Sequence, residues 1–109
     1  MRMWMIDPKL LCRKHLLGEH GEIHKFKHNF EKKHSIDKRI EQGQIEPNSM
    51  EIRHNELALE MLRRGYIHKS PYFIPDLSYL SNKQKYFKVN KIEAITDLYN
   101  RCEECKKLK

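Results

Sequence analysis

No run of apolar residues in the chain approaches the roughly 20 that a membrane helix needs, and no separate amphipathic anchor stands apart. A spanning segment is therefore excluded. Glycine and proline number only four each, too few for a flexible linker, and no internal repeat is visible, so 109 residues are read as one domain, 1–109. Cys12, Cys102 and Cys105 form an odd set that does not make the disulfide framework of a small secreted domain. The opening Met1 to Ile6 is too short, and too soon followed by Asp7 and Pro8, for a secretory leader. An intracellular setting is the expectation. Apolar residues are on the low side for a globular protein at 39% and charged ones high at 34%, which implies a thin core under a strongly polar surface. What the chain has in excess is positive charge: 22 lysines and arginines against 15 acids, net +7. A polyanion is the natural partner, and with no membrane segment that means nucleic acid.

Periodicity points to an all-α fold, a single compact domain of about three main helices joined by long ordered loops. Asp7 and Pro8 read as an N-cap and first helical residue, so a first long helix should begin there or one turn later. Leu16, Ile23 and Phe30 recur every seven residues with Leu17 and Phe26 alongside, a stripe that can face a core. From His34 to Asn48 only Ile36, Ile40 and Ile45 are available to bury, which suggests a connection containing one short helical turn. Asn48, Ser49 and Glu51 resemble a capping box opening a second helix, with Leu57, Ala58, Met61 and Leu62 as its apolar stripe and Gly65 as its stop. Tyr66 to Val89 lacks a sustained period and should wrap the core as an ordered loop with short turns. Asn90 and Glu93 open a third helix, with Ile92, Ile95, Leu98, Tyr99 and Cys102 on one face.

Three stretches carry a resemblance: Met1-Arg2-Met3-Trp4; His15-Leu16-Leu17-Gly18-Glu19-His20-Gly21-Glu22-Ile23; and Arg53-His54-Asn55-Glu56-Leu57 continuing to Met61-Leu62-Arg63-Arg64-Gly65-Tyr66. In order and spacing they resemble the pyrimidine-dimer DNA glycosylases. The resemblance implies an α-helical domain whose N-terminal α-amine attacks the deoxyribose C1′ and forms an imine. A glutamate on the first long helix then supports glycosyl cleavage and β-elimination. By motif that glutamate is Glu22, the arginine beside the nucleophile is Arg2, the histidine seven positions before the glutamate is His15, and Lys25 is a phosphate contact. The pattern is broken twice. Met1 directly precedes Arg2, so the amine would be that of Met1, and Gly21 stands where the pattern has an arginine.

The residues themselves are compatible with this chemistry. An α-amine titrates near ~7.7–8.0, so part of it is a neutral nucleophile at physiological pH without any tuned lysine. Trp4 suits either a DNA contact or a core anchor. Gly18, Glu22 and Lys25 share one helix face, where glycine would admit a sugar-phosphate backbone; an ordinary surface Glu22–Lys25 pair is the alternative. His20, His24 and His28 lie one turn apart and could be a metal strip, a phosphate-binding strip or solvated side chains. His15 and His54 are either DNA contacts or hydrogen-bonded core histidines. The lone CxxC of Cys102 and Cys105 is a weak zinc signal, and Cys102 is equally explained as core. Lys83, Lys85 and Lys88, interleaved with Tyr86 and Phe87, suit phosphate contact and stacking or a solvated loop.

The expected protein is thus a monomeric glycosylase/AP lyase acting on damaged double-stranded DNA, pyrimidine dimers first, without cofactor or metal. Met1 and Glu22 are its catalytic residues, and Arg2, Lys14, His15, Gly18, Lys25 and His54 its DNA contacts. The alternatives are a non-catalytic nucleic-acid-binding module on the same scaffold and a zinc nuclease built on the histidine strip.

Overall fold

The computed structural model describes residues 2–33, 37–68 and 70–108, and among them there is no strand. Helices α1 (Arg13–Glu31), α3 (Met50–Arg63) and α5 (Lys91–Arg101) are the three long elements; α2 (Asp37–Glu41), α4 (Asn82–Lys85) and α6 (Glu103–Lys107) are one-turn pieces in the connections. The all-α reading holds. Helix α1 packs on α3, and the stripe expected for α1 is the one it buries: Leu16, Ile23, Phe26 and Phe30 are covered, with Leu17 partly so.

Several boundaries differ from the sequence expectation. Asp7 does cap a proline-led turn, its Oδ1 accepting the Lys9 amide at 3.0 Å. That turn is only a 3-10 segment, Pro8–Leu10, and α1 begins at Arg13. The break has a reason: Leu11, extended between the two helices, is turned wholly into the core. The capping box expected at Asn48, Ser49 and Glu51 is not formed, because Pro47–Ser49 is a 3-10 turn running straight into α3 and Ser49 makes no side-chain cap. Ile36 lies outside the described residues, while Ile40 and Ile45 are buried as anticipated.

Leu62 and Ile92, assigned to core stripes, are 55% and 78% exposed. The face of α3 that meets α1 is completed by Arg53 and His54, and that of α5 by Ala94 and Leu98. The third helix also stops one residue early. Cys102 is extended, and α6 starts beyond it.

Two termini behave as their residues dictate. Gly65 takes φ +83°, and the Gly65 and Tyr66 amides donate to the Leu62 and Met61 carbonyls at 3.0 and 2.9 Å, closing α3 with a Schellman turn. Asn90 accepts the Glu93 amide at 3.1 Å and opens α5.

Candidate active site

The N-terminal segment is held on both sides of its first side chains. The Met3 amide donates to the Gln44 carbonyl at 2.9 Å, and Met3 and Trp4 are both buried, so Trp4 takes the anchoring role. Arg2 lies over the Trp4 ring, 4.9 Å from its centre, and donates from Nη2 to the Gly43 carbonyl at 3.0 Å. Met1 lies outside the described residues.

Beside Arg2 is a cleft of about 400 Å³ walled by Trp4, His15, Arg39, Asp97 and Arg101. Three guanidinium groups face one carboxylate, and Asp97 already serves Arg101 at 2.8 Å while lying 4.0 Å from Arg2. Three guanidinium groups gathered on one cleft suit an anionic ligand such as a DNA phosphate. Arg39 and Arg101 carried no local sequence signal, because they come from α2 and α5, remote in sequence from Arg2.

On α1, Glu22 is largely covered and its Oε1 is 3.6 Å from Lys25 Nζ, whereas Lys25 itself projects into solvent. Gly18, four residues earlier, is half-buried, Lys14 is exposed, and a Cβ at Gly21 would meet open space. Neither Glu22 nor Lys25 lines the arginine cleft.

Below this surface sits a pair the sequence did not single out. Arg53 donates from Nε and Nη2 to the two oxygens of Glu19, at 2.6 and 2.9 Å, and from Nη1 to the Ile6 carbonyl at 2.7 Å. Both side chains are buried, 2% and 0% exposed. The two helices and the N-terminal segment are tied at one point.

His54 takes the core alternative: it is buried, at 2% exposure. Its Nε2 lies 3.0 Å from the Ser70 carbonyl and 3.1 Å from His20 Nε2, and His20 Nε2 is 2.9 Å from His68 Nε2. Burial first, and the neighbouring imidazoles second, push the His20 pKa down to about 4, so His20 itself is held neutral. The histidine strip is thereby rearranged. His20 and His24 turn inward, His28 stays exposed, and His68 from the loop after α3 takes the third place. His20, His54 and His68 offer ligand atoms within 4.8 Å of one another and could hold a metal.

A second such group joins Cys12 and His15 to Cys102 and Cys105. His15 Nδ1 is 3.3 Å from Cys12 Sγ and 3.6 Å from Cys105 Sγ, and the ring meets Trp4 edge-on.

A family model described as pyrimidine dimer DNA glycosylase matches residues 1–73. The chain belongs to the pyrimidine dimer DNA glycosylase family. The match covers α1 to α3 and includes Met1, Arg2, Glu22 and Lys25, but it ends before Asp97, Arg101 and the cysteine pair of α6. No curated protein and no solved structure matches the chain. Membership makes this a DNA repair glycosylase in general terms, with DNA as its substrate. Among the described residues no helix is long and apolar enough to cross a membrane.

Proposed function

We propose that this pyrimidine dimer DNA glycosylase is also an AP lyase, working as a monomer through an imine between the Met1 α-amine and the damaged nucleotide's deoxyribose. The neutral amine adds at C1′ as the glycosidic bond breaks, and the base leaves with that bond's electrons. Ring opening yields the imine. Loss of a C2′ proton then expels the 3′ phosphate by β-elimination. Glu22 is the carboxylate that moves these protons, and its largely covered position on the helix of the family motif supports that role. Arg2, Arg39 and Arg101 would hold phosphate in the cleft, with Lys14 and Lys25 adding exposed charge along α1 and Gly18 admitting the backbone. Extrusion of the lesion exposes its sugar to the amine.

The observation that carries this reading is the family match over residues 1–73, a span that includes Met1, Arg2 and Glu22. The test is borohydride trapping of untagged protein on duplex DNA bearing an abasic site or a cyclobutane dimer, with the adduct mapped by mass spectrometry. A crosslink at the Met1 amine on both substrates is expected, and Glu22→Gln should bind DNA yet lose cleavage by 10²-fold or more, on the order of a missing acid–base catalyst. DNA binding without any crosslink from a free N-terminus would instead mark a non-catalytic binding module.

A further inference from the structure

We propose that Cys12, His15, Cys102 and Cys105 bind one zinc ion, which fastens the C-terminal helices to the start of α1 beside the N-terminal segment. The four residues come as two pairs of identical spacing, Cys-x2-His and Cys-x2-Cys, in segments about ninety positions apart in sequence. In each pair the first residue stands just before a helix and the second lies in its first turn, so both side chains of the pair turn to the same side.

The separations match those a metal site needs. A tetrahedral zinc with Zn–S near 2.3 Å and Zn–N near 2.05 Å requires about 3.8 Å between sulfurs and about 3.6 Å between sulfur and nitrogen. Here Cys12 Sγ and Cys102 Sγ are 3.7 Å apart, and His15 Nδ1 is 3.3 and 3.6 Å from the Cys12 and Cys105 sulfurs. All four ligand atoms fall within 4.8 Å of one another, a spacing for one ion and not for a multi-iron cage.

The surroundings fit a closed structural site. Cys105 and His15 are buried, and Cys12 and Cys102 half-buried. The Cys12 amide donates to Cys105 Sγ at 3.2 Å and the Cys105 amide to Cys102 Sγ at 3.4 Å, bonds of the kind that support thiolate charge around a metal. Binding displaces the thiol protons to solvent. Three weak thiol donors around one imidazole nitrogen offer that nitrogen far less without an ion.

The assignment gives His15 to the metal in place of the DNA contact implied by the family pattern. It also connects zinc to the cleft. His15 supports Trp4, Trp4 supports Arg2, and Arg101 immediately precedes Cys102. That last consequence rests on the proposed function; the metal site itself does not.

The test is metal analysis of untagged full-length protein purified without chelator, followed by cobalt substitution. One zinc per chain is expected, together with sulfur-to-cobalt charge-transfer bands and the intense visible bands of a tetrahedral site. Cys105→Ser should lose both. Because that variant could fail to fold, Cys102→His offers a ligand-preserving control that should keep an ion with weaker charge transfer, and His68→Gln should keep the wild-type zinc content and spectrum. Any of four results would overturn the site: zinc well below one per chain, a cobalt spectrum without thiolate bands, zinc lost in His68→Gln but kept in Cys105→Ser, or a Cys12–Cys102 disulfide in the purified protein. Zinc at full occupancy with no borohydride adduct would leave this site standing and the lyase reading refuted. The reverse result would separate them the other way.

Discussion

Arg53→Met removes three donors at once, two to Glu19 and one to the Ile6 carbonyl, and leaves a fully buried carboxylate stripped of its hydrogen-bonded ion-pair partner. Breaking a buried pair from one side costs about 3–5 kcal/mol. At about 4 °C per kcal/mol for a domain of this size, the melting temperature should fall by roughly 12–20 °C. The physical cause is checked by the double variant Glu19→Leu/Arg53→Met. Two apolar side chains of suitable volume need no counter-charge, and replacement of a whole buried pair is often neutral. Only the Ile6 carbonyl then stays unsatisfied, at about 1–3 kcal/mol, so the double variant should be more stable than the single one. Urea unfolding followed by far-ultraviolet circular dichroism measures all three proteins. A cost below about 1 kcal/mol for Arg53→Met, or a double variant no better than the single, would refute the argument that an abandoned buried charge dominates.

Acid should find a second carboxylate. Hydrogen bonds from Arg63 first, and from Arg64, hold Glu60 down to about 2, against the opposing effect of its burial. With its folded pKa below an unfolded value near ~4.3, its stabilisation is complete above that pH and is lost as pH falls toward 2; the loss is on the order of 1–3 kcal/mol. Glu60→Gln should flatten the stability profile in that window, and an unchanged profile would contradict the assignment. Gly65→Ala should cost about 1–2 kcal/mol, all of it backbone strain at φ +83°, because nothing stands within 4 Å of the added Cβ; a neutral result in thermal melts would sink this account. Gly21→Arg places a side chain in open space on α1, so it should stabilise the helix by up to about 1 kcal/mol. It should also steepen the salt dependence of DNA binding by about one phosphate contact, and fluorescence anisotropy at several salt concentrations would show no such change if this face avoids DNA.

The repeat of Leu16, Ile23 and Phe30 was legible because an apolar seven-residue period marks one buried stripe of a helix. Glu19 and Arg53 were not legible as core. A charged residue at helical spacing reads as solvent-facing until the partner helix is known to bring its counter-charge. Leu62 and Ile92 failed in the opposite sense: their apolar character suggested burial, but α3 spends its inner face on Arg53 and His54 and α5 on Ala94 and Leu98. The CxxC was visible, whereas its Cys12 and His15 partners share its spacing but lie too far off in sequence for spacing alone to join them. His68 entered the histidine cluster for the same reason that His28 left it. A strip on one helix specifies only a direction, and the loop after α3 decides which imidazoles are met.

The region beyond the family match is built into the same body as the matched segment. Ala94, Leu98 and Cys105 have no exposure and belong to one core with Met3, Leu16 and Ile23, and Asp97 and Arg101 form a wall of the cleft beside Arg2. Around the N-terminus the anchors come from every side: Gln44 binds the Met3 amide, the Glu46 amide reaches Met3 Sδ, Arg53 holds the Ile6 carbonyl, and Arg64 holds those of Pro8 and Leu11. Such anchoring would matter for the proposed N-terminal nucleophile in a way it does not for a serine or lysine on a helix. A terminal amine has no element of its own to orient it, and its reach and direction are inherited from the next few backbone bonds. In the proposed mechanism, fixing Arg2 to Leu11 before DNA arrives would remove conformational freedom otherwise lost during the reaction, so that the rate gained from placing amine and sugar together would be kept for the chemistry.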